Sequence, residues 1–133
     1  RKISESGVQP HFALGFRNRS RILSHDEFSA LGPVFLATED GSKGYRGFVT
    51  DIPEFRNEHW DRVYCCGPEP MMKAVAALCR KRDIFCEVSL ENLMACGLGI
   101  CLCCVVPTTS GNLCSCTDGP VFNINDLKWQ TSG

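Results

Sequence analysis

Residues 94–106 read MACGLGICLCCVV and place Cys96, Cys101, Cys103 and Cys104 within nine residues. Three of them, Cys96, Cys101 and Cys104, follow the spacing C-x4-C-x2-C, the plant-type arrangement for three thiolate ligands of a [2Fe–2S] cluster. Such a cluster needs a backbone that curls around it, delivering thiolates to iron and N–H groups to sulfur, and Gly97 and Gly99 permit that curl. The fourth ligand has to come from farther along, where Cys114 and Cys116 both qualify. Cys103 is adjacent to Cys104 and alternates away from it. A four-cysteine zinc site would also staple a small lobe, but zinc favours paired C-x2–4-C knuckles and only one such pair is well formed here. The choice decides the chemistry, since an iron–sulfur cluster moves single electrons and zinc has no redox chemistry.

The chain holds ten cysteines, at 65, 66, 79, 86, 96, 101, 103, 104, 114 and 116. That count would read as a disulfide framework in a small secreted protein and as metal binding in a cytosolic one. Cys65, Cys79 and Cys86 fall in apolar surroundings and read as small buried hydrophobes. His11, His25 and His59 have no ligand spacing with the cysteines, and Met71 and Met72 suit a helix core.

Several elements have to position these groups. Residues 8–16, 33–40, 60–67 and 84–90 are strand candidates, and Ser24 can cap a short helix carrying Phe28 and Leu31 on one face. Pro68 and Pro70 stand where a helix would begin, and the following segment has apolar residues at 71, 72, 75, 78 and 79, the pattern of an amphipathic helix. Strands alternating with helices predict an α/β fold with a parallel sheet, whose ligand sites lie at the carboxyl ends of the strands. After about residue 90 the texture changes to short apolar pieces between Cys, Gly, Pro, Thr and Asn. There CVVPTT and GPVFNINDL form a candidate strand pair in a small β-rich lobe, which at about 40 residues needs a metal or disulfides to hold it. The expected division is a partial nucleotide-binding lobe over 1–90 and a cluster lobe over 91–133.

The 133 residues are 44% hydrophobic and 22% charged with net charge −1, so neither a basic block nor a basic amphipathic helix argues for nucleic acid or a membrane surface. No apolar run reaches the roughly 18–20 residues of a membrane span and no signal peptide is visible, which makes the cytoplasm the expected compartment. The opening RKISESGVQP reads as the last turns of a helix ending at Gly7, followed by a strand. The chain is therefore expected to be the C-terminal piece of a longer protein.

The strings CGPEPMMKAV, CEVSLENLMACGLGICLCCVV and CSCTDGPVF closely resemble the electron-transfer subunits of NAD-dependent dihydroorotate dehydrogenases, iron–sulfur flavoproteins of the ferredoxin reductase-like superfamily. LGFRNRSRILSHDEF and VFLATEDGSKGYRGFVTD are similar to that family's nicotinamide-binding lobe, so the resemblance runs through nearly the whole chain. It implies that Cys96, Cys101, Cys104 and Cys116 are the cluster ligands, leaving Cys103 and Cys114 as extras and Asp118 as a turn residue. It also implies that Cys66, Gly67 and Pro68 form the turn beside nicotinamide and flavin, and that Gly15, Arg17, Glu39 and Asp40 lie where the adenosine half of NAD would bind. Arg17 can equally be an ordinary solvated charge.

The family pattern further implies an FAD-binding barrel and a glycine-rich turn preceding the matched stretch, so this piece alone is expected to be inactive and to bind NAD weakly. In the intact protein the resemblance implies electron transfer between an FMN-containing dihydroorotate dehydrogenase catalytic subunit and NAD, through the [2Fe–2S] cluster and FAD, in a hetero-oligomer serving pyrimidine biosynthesis. A related flavin and iron–sulfur oxidoreductase with another client is the nearest alternative, and a zinc-stapled binding module the one from a different class.

Overall fold

The computed structural model describes residues 6–129. Backbone contacts divide the chain into two units, Arg1–His59 and Trp60–Gly133, each with its own sheet. Most of the predicted helix end over residues 1–7 lies outside the described residues; Gly7 has φ +83°, the left-handed conformation that ends helices.

In the first unit β1 (Phe12–Phe16) and β2 (Val34–Thr38) run parallel, with Phe12 opposite Val34 and Phe16 opposite Thr38, and the two-residue β3 (Tyr45–Arg46) pairs parallel with the end of β2. β1 is shorter than the predicted 8–16. The helix α1 (His25–Ser29) returns the chain between β1 and β2, and its Phe28 ring packs 5.0 Å from that of Phe12. Ser24 stands at the N-cap position but in a left-handed conformation, and its side chain makes no capping hydrogen bond, so the predicted cap is present in place and absent in chemistry. A 3-10 turn (Val49–Asp51) and α2 (Pro53–Asn57) complete the unit, with Leu36, Ala37, Val49, Ile52 and Phe55 as its buried core.

In the second unit β4 (Arg62–Cys66) leads through α3 (Glu69–Lys81) to β5 (Phe85–Ser89), parallel to β4 with Cys66 opposite Ser89. This is the βαβ unit that the alternation of strand and helix signals implies. Pro68 and Pro70 begin α3, Glu69 pairs with Lys73 at 2.7 Å, and Arg80 and Lys81 close the last turn, an order that suits the helix dipole. Its buried stripe is Met72, Val75, Ala76 and Cys79; each large apolar side chain so buried contributes about 1.5–3 kcal/mol. The Arg80 guanidinium donates to the Ile124 carbonyl, tying helix to C-terminal segment.

The cysteine-rich segment departs in part from its predicted pairing. β6 (Val105–Thr108) forms a hairpin with β7 (Gly111–Cys114), and β8 (Val121–Asn123) pairs antiparallel with β5, Val88 opposite Phe122. A tight local turn supplies the main partner of β6, the expected pairing with GPVFNINDL survives as one antiparallel bridge between Thr108 and Leu127, and the apolar β8 extends the α/β sheet. The expected boundary after residue 90 falls inside the second unit, because β8 hydrogen-bonds to β5 across it. Among the described residues no helix is long and apolar enough to cross a membrane.

Candidate metal centre

Between β5 and β6 the chain forms a loop without regular secondary structure that carries Cys96, Cys101 and Cys104. Gly97, Gly99 and Leu102 take φ values of +68°, +76° and +56°, three left-handed residues that turn the loop back on itself. A Cβ would meet nothing within 4 Å at Gly97, so there the backbone angle alone demands glycine; at Gly99 it would also sit 3.2 Å from Thr117 Cγ2.

The curl aims N–H groups at sulfur. Leu98 N and Cys101 N lie 3.3 and 3.5 Å from Cys96 Sγ. The Cys101 N–H, then the Leu98 N–H and the Cys101 thiol, pull the Cys96 thiol down to about 6, which favours the thiolate that a metal requires. Cys104 is buried, beside Cys116. The Cys116 N–H, then its thiol, lower the Cys104 thiol, while the Cys104 thiol, then burial, raise that of Cys116. The Gly99 N–H works in the opposite direction on Cys116 and lowers it.

Neighbouring polar groups fix the second pair. Asn92 Nδ2 lies 3.1 Å from Ser115 Oγ and 3.4 Å from the Cys104 carbonyl, which also accepts from Ser115 N at 3.0 Å. Ser115 is fully buried. Asp118 Oδ2 accepts from Cys114 N at 2.7 Å and from the Thr117 hydroxyl at 3.3 Å, the turn role that TDGP implies. Sequence spacing gave no sign of Asn92, because a single amide 12 residues from Cys104 has no local pattern.

The four predicted ligands are therefore associated as two pairs, Cys96 with Cys101 and Cys104 with Cys116. Among the described residues no three His, Cys, Asp or Glu side chains converge as a single ion demands. Two pairs of thiols are what a two-iron cluster takes, two to each iron, and the N–H groups aimed at sulfur suit its negative charge. The residues present fit that group.

The other candidates fall on both units. In the first, Arg17, Glu39 and Asp40 come together at the carboxyl ends of β1 and β2, where Glu39 N donates to the Phe16 carbonyl at 3.1 Å and Asp40 N to that of Arg17 at 3.3 Å. Asp40 is committed to its own loop: Oδ1 accepts from Ser42 Oγ at 2.6 Å and Ser42 N at 2.9 Å, contacts that lower its pKa. Gly15 lies within β1, and a Cβ there would be 2.7 Å from Val49 Cγ1, so close packing of the 3-10 turn accounts for this glycine.

In the second unit Cys66, Gly67 and Pro68 occupy the carboxyl end of β4 and the start of α3. Cys66 Sγ lies 3.9 Å from Glu91 Oε1, beside an open depression lined by Tyr64, Glu87, Ser89 and Val121. Cys65 is half-buried, and burial first raises its thiol to about 11; Cys79 and Cys86 are buried and hydrogen-bonded to each other. Cys79 and Cys86 are the buried residues they were read to be, whereas Cys65 also lines the open depression.

Residues 91–128 match the family model described as the iron–sulfur cluster binding domain of dihydroorotate dehydrogenase B. Over 96% of its length the chain is 40% identical to the dihydroorotate dehydrogenase B (NAD(+)) electron transfer subunit of Shouchella clausii and 40% identical to that of Listeria monocytogenes, covering 50% and 51% of those proteins. It is 41% identical to the Clostridium acetobutylicum subunit over 87% of its length and 46% of the relative. Among solved structures it superposes with a TM-score of 0.84 and 31% identity on a chain of the NADH-dependent reduced ferredoxin-NADP oxidoreductase, covering 96% of this chain and 47% of that one. The chain thus spans about half the length of the curated relatives it matches. It is a homologue of the dihydroorotate dehydrogenase B electron transfer subunits over that half, and carries at residues 91–128 the match to their iron–sulfur cluster binding domain.

Proposed function

We propose that the chain belongs to a cytoplasmic electron-transfer subunit that carries electrons between an FMN-containing dihydroorotate dehydrogenase catalytic subunit and NAD, using a [2Fe–2S] cluster and FAD. The observation that carries this reading is four cysteines, three on a loop whose N–H groups point at the Cys96 sulfur and a fourth just after β7, inside the segment that matches a cluster-binding domain. When bound, the cluster supplies one-electron transfer, and the hard chemistry is the cofactor's.

The chain's own residues bind and orient. Cys96, Cys101, Cys104 and Cys116 are the ligands in this reading, Asn92 and Ser115 hold the Cys104 backbone, and Asp118 fixes the turn that leads into Cys116. Cys66, Gly67 and Pro68, at the end of β4, are the residues proposed to lie beside nicotinamide and flavin. Arg17, Glu39 and Asp40 are proposed for the adenosine half of NAD, with Gly15 beneath them as packing. Leu98, Ile100 and Leu102 are 70%, 78% and 63% exposed on the cluster loop, an apolar face proposed to dock the catalytic subunit in a hetero-oligomer serving pyrimidine biosynthesis.

The likeness to an NADH-dependent ferredoxin-NADP oxidoreductase chain favours one second reading, the same cofactors with another redox client. Affinity purification of the full-length protein separates the two. A co-purifying flavoprotein that oxidises dihydroorotate supports the first reading, and a different dehydrogenase in its place supports the second.

A further inference from the structure

The loops that follow β1 and β2 are joined through one hydroxyl. A 3-10 turn (Arg19–Arg21) opens shortly after β1, and the first N–H groups of such a turn have no partner within it. Asn18 Oδ1 accepts from Ser20 N at 3.1 Å, and Ser42 Oγ, 23 residues along the chain, accepts from Arg19 N at 2.7 Å. The same Oγ donates to Asp40 Oδ1 at 2.6 Å. Chemistry fixes both directions, since an amide N–H only donates, a carboxylate only accepts, and a hydroxyl has one proton to give.

Ser42 is itself held in place. Its N–H donates to Asp40 Oδ1 at 2.9 Å. On its other side Thr38, fully buried, donates through Oγ1 to the Lys43 carbonyl at 2.7 Å and accepts there from Lys43 N at 3.1 Å. The segment from Thr38 to Lys43 is thus closed on itself, and Ser42 is the residue through which it reaches Arg19. Asp40 N, donating to the Arg17 carbonyl at 3.3 Å, ties the same two loops at their roots.

We infer that Ser42 is a positioning residue for the adenosine half of NAD: its hydroxyl holds the loop after β1 against the loop after β2, so that Arg17, Glu39 and Asp40 meet the nucleotide as one preformed surface. The inference rests on the reading that places the adenosine half at those residues. Ser42 acts through Arg19 and Asp40 and touches no substrate. Without its hydroxyl the two loops have to be ordered at the moment of binding, and that cost is subtracted from affinity. The loss falls on ligands that carry the adenosine half and spares the reaction of the nicotinamide end.

The test uses the full-length protein with its flavin, as wild type, Ser42→Ala, Ser42→Thr, Arg17→Ala and Glu39→Ala. Titration calorimetry measures binding of ADP-ribose, which keeps the adenosine half and lacks nicotinamide. Stopped flow measures flavin reduction by reduced nicotinamide mononucleotide, which lacks the adenosine half. Ser42→Ala should raise the Kd for ADP-ribose about tenfold, the size of one or two ordinary hydrogen bonds, while its reaction with the mononucleotide stays at the wild-type rate. Ser42→Thr keeps the hydroxyl and should restore wild-type binding. A wild-type Kd for ADP-ribose in Ser42→Ala, a loss that Ser42→Thr leaves in place, or an equal loss with the mononucleotide overturns the positioning role; the placement of the adenosine half stands if Arg17→Ala or Glu39→Ala still weakens ADP-ribose. If neither of those two variants weakens it, that placement falls and the positioning role with it. Should Ser42→Ala not fold, Ser42→Gly removes the same hydroxyl and is read in the same way.

Discussion

Alanine at Gly97 or at Gly99 separates backbone conformation from packing in the loop that carries Cys96. Both residues are left-handed, at φ +68° and +76°, where a Cβ costs about 1–2 kcal/mol. At Gly97 the added Cβ meets nothing within 4 Å, so Gly97→Ala should cost that amount alone; at Gly99 it lies 3.2 Å from Thr117 Cγ2, adding about 1 kcal/mol of overpacking at the low end of the usual range. Cluster bleaching followed by visible absorbance in urea without oxygen reads both, since 1–2 kcal/mol corresponds to about 5–30-fold in rate. Gly97→Ala should accelerate bleaching by that factor and Gly99→Ala by about fivefold more. Thr117→Ser removes the offending Cγ2 and keeps the hydroxyl that bonds Asp118, so Gly99→Ala with Thr117→Ser should fall back to the Gly97→Ala rate. Equal rates for the two alanines, or an excess that Thr117→Ser leaves in place, would refute the reasoning.

Ile100→Asp should weaken binding of the dihydroorotate-oxidising subunit in a pull-down while iron content stays unchanged; undiminished binding removes the exposed loop as the docking face. Asn92→Ala strips a partner from buried Ser115 and from the Cys104 carbonyl, and at about 1–3 kcal/mol for an unsatisfied buried group it should speed cluster loss to a chelator. Phe122, buried on β8 against β5, should cost about 3–5 kcal/mol on truncation to alanine, seen as a lower thermal midpoint. Ser42 holds the Asp40 carboxyl below its ordinary 3.8, so this contact stabilises above the unfolded pKa and fades as pH falls through the lower folded value. Ser42→Ala should return Asp40 toward 3.8 by carboxyl NMR and lose stability at neutral pH but not below the folded value.

The elements held by short-range signals were legible in the sequence. The prolines at 68 and 70 and the apolar stripe of α3 announced that helix, and the βαβ arrangement followed from the alternation around it. The curl of the cysteine loop was equally local, and Gly97 and Gly99 are left-handed as it required. Long-range choices were hidden. Whether β8 pairs with β6 or with β5 depends on register between segments more than 30 residues apart, and Asn92 acquires its role only when folding brings Ser115 beside it. Gly15 has a long-range reason of the same kind: a Cβ there would lie 2.7 Å from Val49 Cγ1, a contact between residues 34 apart.

The most direct test of the central claim is iron, zinc and acid-labile sulfide analysis with a visible spectrum on the full-length protein purified without oxygen. Two irons and two sulfides per chain, with visible bands that bleach on reduction, are the predicted result. One zinc per chain without sulfide would contradict the claim and take electron transfer away from these cysteines.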